Sequence, residues 1–113
     1  MEKNILSEMI VNAYTELKNA RTEFFETGEE AIAIREQYDA KRASLIASGK
    51  IDGKNSEARE AQLEVLLATE TKNLLDAKAK ERQAHYLFDI AQISVDSARA
   101  LLRLEELLQG NKE

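Results

Sequence analysis

The sequence predicts an all-α protein: a long antiparallel two-helix hairpin, coiled-coil-like, that pairs into a four-helix bundle. Three observations carry that prediction. The chain of 113 residues has no proline and only four glycines, and it is rich in Ala, Leu, Glu, Lys and Arg, the makeup of long helices rather than a mixed fold. Apolar residues recur every seven positions on either side of one polar stretch. That stretch, Ser48-Gly49-Lys50-Ile51-Asp52-Gly53-Lys54-Asn55-Ser56, is where turn-forming residues cluster between two helix-favouring runs. The expected organisation is one domain over 1–113, with a helix at 4–48, a turn at 49–55 and a helix at 56–109.

The first helix carries its ladder on Ile10, Leu17, Phe24, Ala31, Tyr38 and Leu45, with Leu6, Ala13, Ala20 and Ile34 on the adjacent column. A stripe of that period is a seam for another helix. Thr27-Gly28-Glu29-Glu30 has the form of a capping box and offers the one candidate break, which would give a three-helix bundle. The ladder keeps its phase across this point, and a single glycine inside a helix costs only about 1 kcal/mol, so a continuous helix is expected.

In the turn, Gly49 suits the left-handed position that ends a helix, and Asp52-Gly53 is a pair that tolerates positive φ. Asn55 or Ser56 can cap the next helix by accepting from a free backbone N–H, while Glu57 and Glu60 place negative charge at the positive end of its dipole. Ile51, apolar in a polar turn, is expected to fold back against the end of the seam.

The second helix repeats the pattern on Leu67, Leu74, Glu81, Phe88, Val95 and Leu102, beside a column of small residues, Ala77, Ala84, Ala91 and Ala98. Small side chains let a neighbouring helix approach closely. It is expected to end at Gly110-Asn111, a pair suited to a C-terminal cap. Each helix is about 65 to 80 Å long at 1.5 Å per residue, and a turn of about six residues cannot span that length. The two helices must therefore run antiparallel, side by side.

One seam does not absorb all the apolar residues. From Ala84 onward the second helix carries Leu87, Ile90, Ile93, Leu101, Leu104 and Leu108 off its ladder, and the hairpin sets this half against another oversupplied stretch that includes Ile5 and Met9. These eight residues are the expected self-association surface, because an apolar excess of this kind seeks a partner. A second copy, giving a dimer, is the simplest one.

The search for chemistry returns little. His85 is the only histidine, four residues after Glu81 and four before Asp89, a stripe that Glu16 or Glu23 from the first helix could complete. Di-metal bundles use Glu-x-x-His, repeated, whereas Glu-x-x-x-His occurs here once, so the stripe reads as a solvated charge array. Gly49 and Gly53 have three residues between them and no hydroxyl residue follows Lys54, unlike a phosphate loop. No nucleophile elbow is present. The chain is expected to be no enzyme and to take no cofactor, metal or small molecule. Without cysteine, disulfides and thiolate chemistry are excluded. The start, Met1-Glu2-Lys3-Asn4-Ile5-Leu6, lacks the pattern of a signal peptide and no segment approaches the ~20 apolar residues of a membrane span, so a cytoplasmic protein without membrane contact is expected.

The formal charge of −5 argues against a general nucleic-acid coat protein, which needs the opposite sign. Locally the balance reverses. Lys41, Arg42, Lys50, Lys54 and Arg59 gather about the turn, opposed between residues 41 and 59 only by Asp52 and Glu57. A basic tip suits docking on an acidic patch or a phosphate; with no aromatic residues among the charges it has no platform for base stacking.

The run Gly49-Lys50-Ile51-Asp52-Gly53-Lys54-Asn55, followed by Glu57-Ala58-Arg59 and Ala61-Gln62-Leu63, resembles the Gly-x-Ile-Asp-Gly-Lys-Asn-x-x-x-Arg turn of small helical proteins encoded by phages and prophages. The resemblance implies a virus-encoded accessory protein that binds and modulates another protein in the host cytoplasm. It also implies that Asp52, Gly53, Lys54, Asn55 and Arg59 form a structured turn, with Asn55 capping and Arg59 reaching a turn carbonyl or Asp52. The expected function is a non-catalytic protein–protein interaction module, with Lys41, Arg42, Lys50, Asp52, Lys54, Asn55 and Arg59 as its partner-binding tip. A nucleic-acid accessory factor contacting phosphates through that tip is the alternative.

Overall fold

The computed structural model describes residues 3–110. Three helices follow one another: α1 (Lys3–Ala47), α2 (Ser56–Leu66) and α3 (Ala68–Gly110). No strand occurs among the described residues, and α1 packs antiparallel to α3 as a hairpin. The fold follows from the two ladders. On α1 every residue of the column Ile10, Leu17, Phe24, Ala31, Tyr38 and Leu45 is buried or half-buried, as are Leu6, Ala13, Ala20 and Ile34 beside it. Across from them Leu67, Leu74 and Val95 are buried, with Glu81, Phe88 and Leu102 half-buried. The small column Ala77, Ala84, Ala91 and Ala98 is buried along its whole length.

Contacts gather into two units: a terminal unit of Met1–Phe25 with Arg82–Glu113, and a turn unit of Glu26–Glu81. In the terminal unit Ala13, Val95 and Ala98 form the buried centre, with Ile10 and Leu17 packed on it. Phe24 lies flat on the His85 imidazole, ring centres 4.7 Å apart and planes 18° apart, and tilts against Phe88 at 6.0 Å. In the turn unit Leu63, Leu67, Leu74 and Ala77 are buried together with Thr27. A fully buried leucine contributes about 1.5–3 kcal/mol relative to an exposed one, so Leu63 and Leu67 anchor the short helix and the start of the long one.

One local feature departs from expectation. The helix expected over 56–109 is not continuous: Leu67, at φ −102° and ψ 13°, interrupts it between α2 and α3. The interruption is one residue wide, since the Leu67 N–H still donates to the Leu63 carbonyl and the Thr71 N–H to the Leu67 carbonyl, both at 2.8 Å. Residues 64–69 contain neither glycine nor proline, and nothing in them encodes a stop. Leu67 is only 1% exposed, so the break sits at one of the most tightly packed residues of the seam, and the seven-residue phase from Leu63 to Glu70 survives it.

The continuity expected of the first helix holds: α1 runs unbroken through Thr27-Gly28, and Thr27 is a buried residue of the seam column that holds Ala20 and Ile34. Gly28 leaves room beside the Glu81 carboxylate: a Cβ there would lie 3.2 Å from Oε2. At the chain end α3 includes Gly110, while Asn111, the other half of the expected cap, lies outside the described residues.

Candidate interaction surfaces

The turn is built by hydrogen bonds rather than by apolar packing. Gly49 takes φ +77°, the left-handed conformation that ends a helix at little cost only for glycine. Asn55, in extended conformation, caps α2 by accepting from the Ala58 N–H at 2.8 Å through Oδ1. Arg59 Nη1 donates to the Gly53 carbonyl at 3.3 Å. Gln62 completes the array: its Oε1 accepts from the Gly53 N–H at 2.8 Å, and its Nε2 donates to Asp52 Oδ1 at 2.6 Å. Only one orientation of the Gln62 amide satisfies both partners.

Gly53 tolerates a positive φ but does not adopt one. Its role is close approach: a Cβ would stand 2.8 Å from the Arg59 nitrogen and 2.9 Å from two atoms of Ala58, inside the first turn of α2. The glycine lets the loop lie on the helix start. Gln62 is the residue that sequence reasoning left without a role, although the spacing of Asn55, Arg59 and Gln62, four then three, places all three on one helix face.

The basic tip is partly neutralised. Lys41 Nζ bonds Glu70 Oε1 at 2.6 Å and Arg42 Nη2 bonds Glu60 Oε1 at 2.9 Å. Both carboxylates lie outside the window 41–59 over which the sequence charges were balanced, and the fold brings them in. Lys41, helped by Glu70's own backbone N–H, holds the Glu70 carboxyl below its ordinary range, and Glu60 pushes Arg42 up. Of the seven tip residues, Lys41, Arg42, Asp52, Asn55 and Arg59 thus have intramolecular partners. Lys50 and Lys54 are exposed, and among the described residues their side chains make no hydrogen bond or ion pair. Ile51 is half-buried.

The terminal unit presents the opposite chemistry. All eight residues assigned to self-association (Ile5, Met9, Leu87, Ile90, Ile93, Leu101, Leu104 and Leu108) are exposed, from 37% at Met9 to 60% at Ile93. They are not scattered. On α3, Leu87, Ile90, Leu101, Leu104 and Leu108 fall on two columns next to the buried alanines. Ile93 and Leu107 widen the stripe on its far side. Met9 from α1 and Ile93, Ser94, Ser97 and Leu101 from α3 line a shallow groove along the same edge of the hairpin. The facing side of α3 is polar, with Asp89, Asp96, Arg99 and Arg103.

His85 is engaged by Phe24 on its face and by Asp89, 3.7 Å from its Nε2. Among the described residues no three His, Cys, Asp or Glu side chains gather as a metal-binding group, and no helix is long and apolar enough to cross a membrane. Comparisons with protein-family models, with curated proteins and with solved structures return no match for this chain.

Proposed function

We propose that this chain is a non-catalytic protein–protein interaction module that self-associates through its terminal unit and offers the cationic turn to a second protein. The observation that carries the proposal is the unburied stripe on α3. It has the spacing of a helix-packing seam, lies beside the seam already filled by α1, and its large side chains stay exposed in the monomer, bordered along one edge by the groove with Met9. A protein that modulates another by binding it, as the resemblance of the turn to phage and prophage accessory proteins implies, needs this kind of surface and no catalytic group.

The turn supports the second half of the reading. A network that fixes the backbone from Asp52 to Gln62 presents Lys54 on an ordered loop, with Lys50 exposed beside it, and a preorganised loop loses less entropy on binding. The test is affinity capture of the tagged protein from cytoplasmic extract, with and without nuclease, beside the Lys50→Glu/Lys54→Glu variant. A nuclease-resistant protein recovered by the wild type and lost from the variant is the expected result. Material that disappears with nuclease would replace this reading with contact to nucleic-acid phosphates. Recovery of the chain alone would leave a structural self-assembler.

A further inference from the structure

The stripe on α3 specifies more than a sticky face. Its successive members, Leu87, Ile90, Ser94, Ser97, Leu101 and Leu104, step by three and four residues, the rhythm of a packing seam. They also read the same in both directions. Leu87 mirrors Leu104, Ile90 mirrors Leu101, and Ser94 mirrors Ser97, every pair centred between Val95 and Asp96. Two large side chains lie at each end and two small ones in the middle.

We infer that two copies of this chain dimerise by laying the α3 stripes against each other antiparallel, about a two-fold axis beside Val95 and Asp96. This rests on the self-association reading and adds the mode. In that arrangement Leu87 meets Leu104 and Ile90 meets Leu101 of the partner copy, Leu108 at the edge meets Gln83, and Ser94 faces Ser97 across the axis. Small residues at the crossing let the two backbones approach closely. Antiparallel helices also oppose their dipoles.

The same columns explain why the copies are not parallel. Upstream of Leu87 they carry Gln83, Lys80 and Asp76. A parallel pair in register would stack Lys80 on Lys80 and Asp76 on Asp76 of the other copy, and facing like charges oppose association. In the antiparallel pair the end of α3 at Gly110 falls opposite Glu81 of the partner copy. Lys80 and Asp76 are then left outside the overlap, which covers the apolar stripe and little else.

Cysteine cross-linking tests this cleanly, because the chain has no cysteine of its own. A disulfide needs Cα atoms within about 7 Å. In the antiparallel pair residue 87 is next to residue 104 of the partner copy and about 25 Å from residue 87, at 1.5 Å per residue. Leu87→Cys and Leu104→Cys proteins, oxidised when mixed, are expected to give the crosswise disulfide, and Leu87→Cys alone to give none. A Leu87→Cys homodisulfide, or a dimer with no crosswise product, overturns the antiparallel mode. Should these variants dissociate through loss of a leucine, Gln83→Cys, which removes no apolar side chain, decides: residue 83 lies about 37 Å from its counterpart in the antiparallel pair, at 1.5 Å per residue, so a dimer without a Gln83→Cys homodisulfide is the expected result and that homodisulfide overturns the mode. Sedimentation equilibrium of the unmodified protein separates the two levels. A monomer at tens of micromolar removes self-association altogether, whereas a dimer with the wrong cross-links removes only the mode.

Discussion

The turn unit and the terminal unit share one heptad seam and differ in what lies outside it. In the turn unit the polar groups close on one another: Asn55 on α2, Gln62 on Asp52 and Gly53, Arg42 on Glu60, Lys41 on Glu70. Its exposed apolar side chains, Ile32, Ile46, Val65, Leu66 and Leu75, include no stripe of packing rhythm. In the terminal unit the seam is equally well filled, yet a second apolar stripe remains exposed on α3. The same hairpin is therefore closed by its own polar groups in one region and leaves an apolar face exposed in the other, the face proposed above to self-associate. Long heptad sequences can encode an intramolecular and an intermolecular contact on adjacent faces of one helix.

The sharpest way to break this contrast is to charge the stripe. Ile90→Glu/Leu101→Glu puts two carboxylates where each apolar side chain contributes about 1.5–3 kcal/mol when buried. Neither side chain belongs to the seam with α1. The expected outcome is a monomer by sedimentation at concentrations where the wild type is associated, with the helical circular dichroism of the chain retained. Loss of helix together with association would place these residues in the fold instead. An equivalent pair of charges in the turn unit, Ile32→Glu/Leu75→Glu, is expected to leave the mass unchanged.

A smaller effect is expected from Gly53→Ala, which acts on the turn unit alone. The added Cβ meets backbone atoms of Ala58 and Arg59 at 2.8 to 2.9 Å, and these cannot rotate away as a side-chain tip could. Overpacking of this kind costs about 1–3 kcal/mol, read as a lowered urea midpoint. The variant should associate as the wild type does, because the stripe is untouched. A midpoint equal to wild type would show that the loop is free to lift off α2.

How much of this was legible in the sequence depends on the range of the interaction. The seam was readable because heptad periodicity is set by helix geometry, and Leu6 through Leu45 and Leu67 through Leu102 kept one phase. Asn55 and Gly49 were readable from local turn chemistry. The pairing of Lys41 with Glu70 and Arg42 with Glu60 was not, since it depends on the register between helices and joins residues 29 and 18 apart in sequence, and a charge balance over a short window cannot contain it. Two cations of the basic tip, Lys41 and Arg42, are thereby paired, and Lys50 and Lys54 stay exposed at the turn. The interruption at Leu67 left no local trace, because no breaker residue accompanies it. At Thr27 the seven-residue phase outweighs the local capping-box signal, and α1 is continuous there as that phase predicts.

The Lys41–Glu70 pair gives the finest test of how the turn unit is held, and its sign can be worked out. Lys41 and the backbone N–H keep the folded-state carboxyl of Glu70 below its ordinary value of 4.5. A carboxylate depressed on folding stabilises the protein at pH above its unfolded value, and that contribution is lost as the pH falls through the folded one. Exposed pairs contribute little and are screened by salt, and the Lys41 side chain is 45% exposed, so the effect is small. Glu70→Gln should flatten the fall in thermal midpoint between neutral pH and the acid side of 4.5, most visibly at low ionic strength. Lys41→Met should return the Glu70 carboxyl resonance toward the ordinary carboxylate range in an NMR titration. Glu70 also occupies the first turn of α3, where its charge favours the helix dipole whether or not Lys41 is present. The two variants therefore separate the contributions. If Lys41→Met leaves the Glu70 titration where it was, the interruption at Leu67, by giving α3 a start of its own, is what depresses the carboxyl, and the salt bridge is incidental to it.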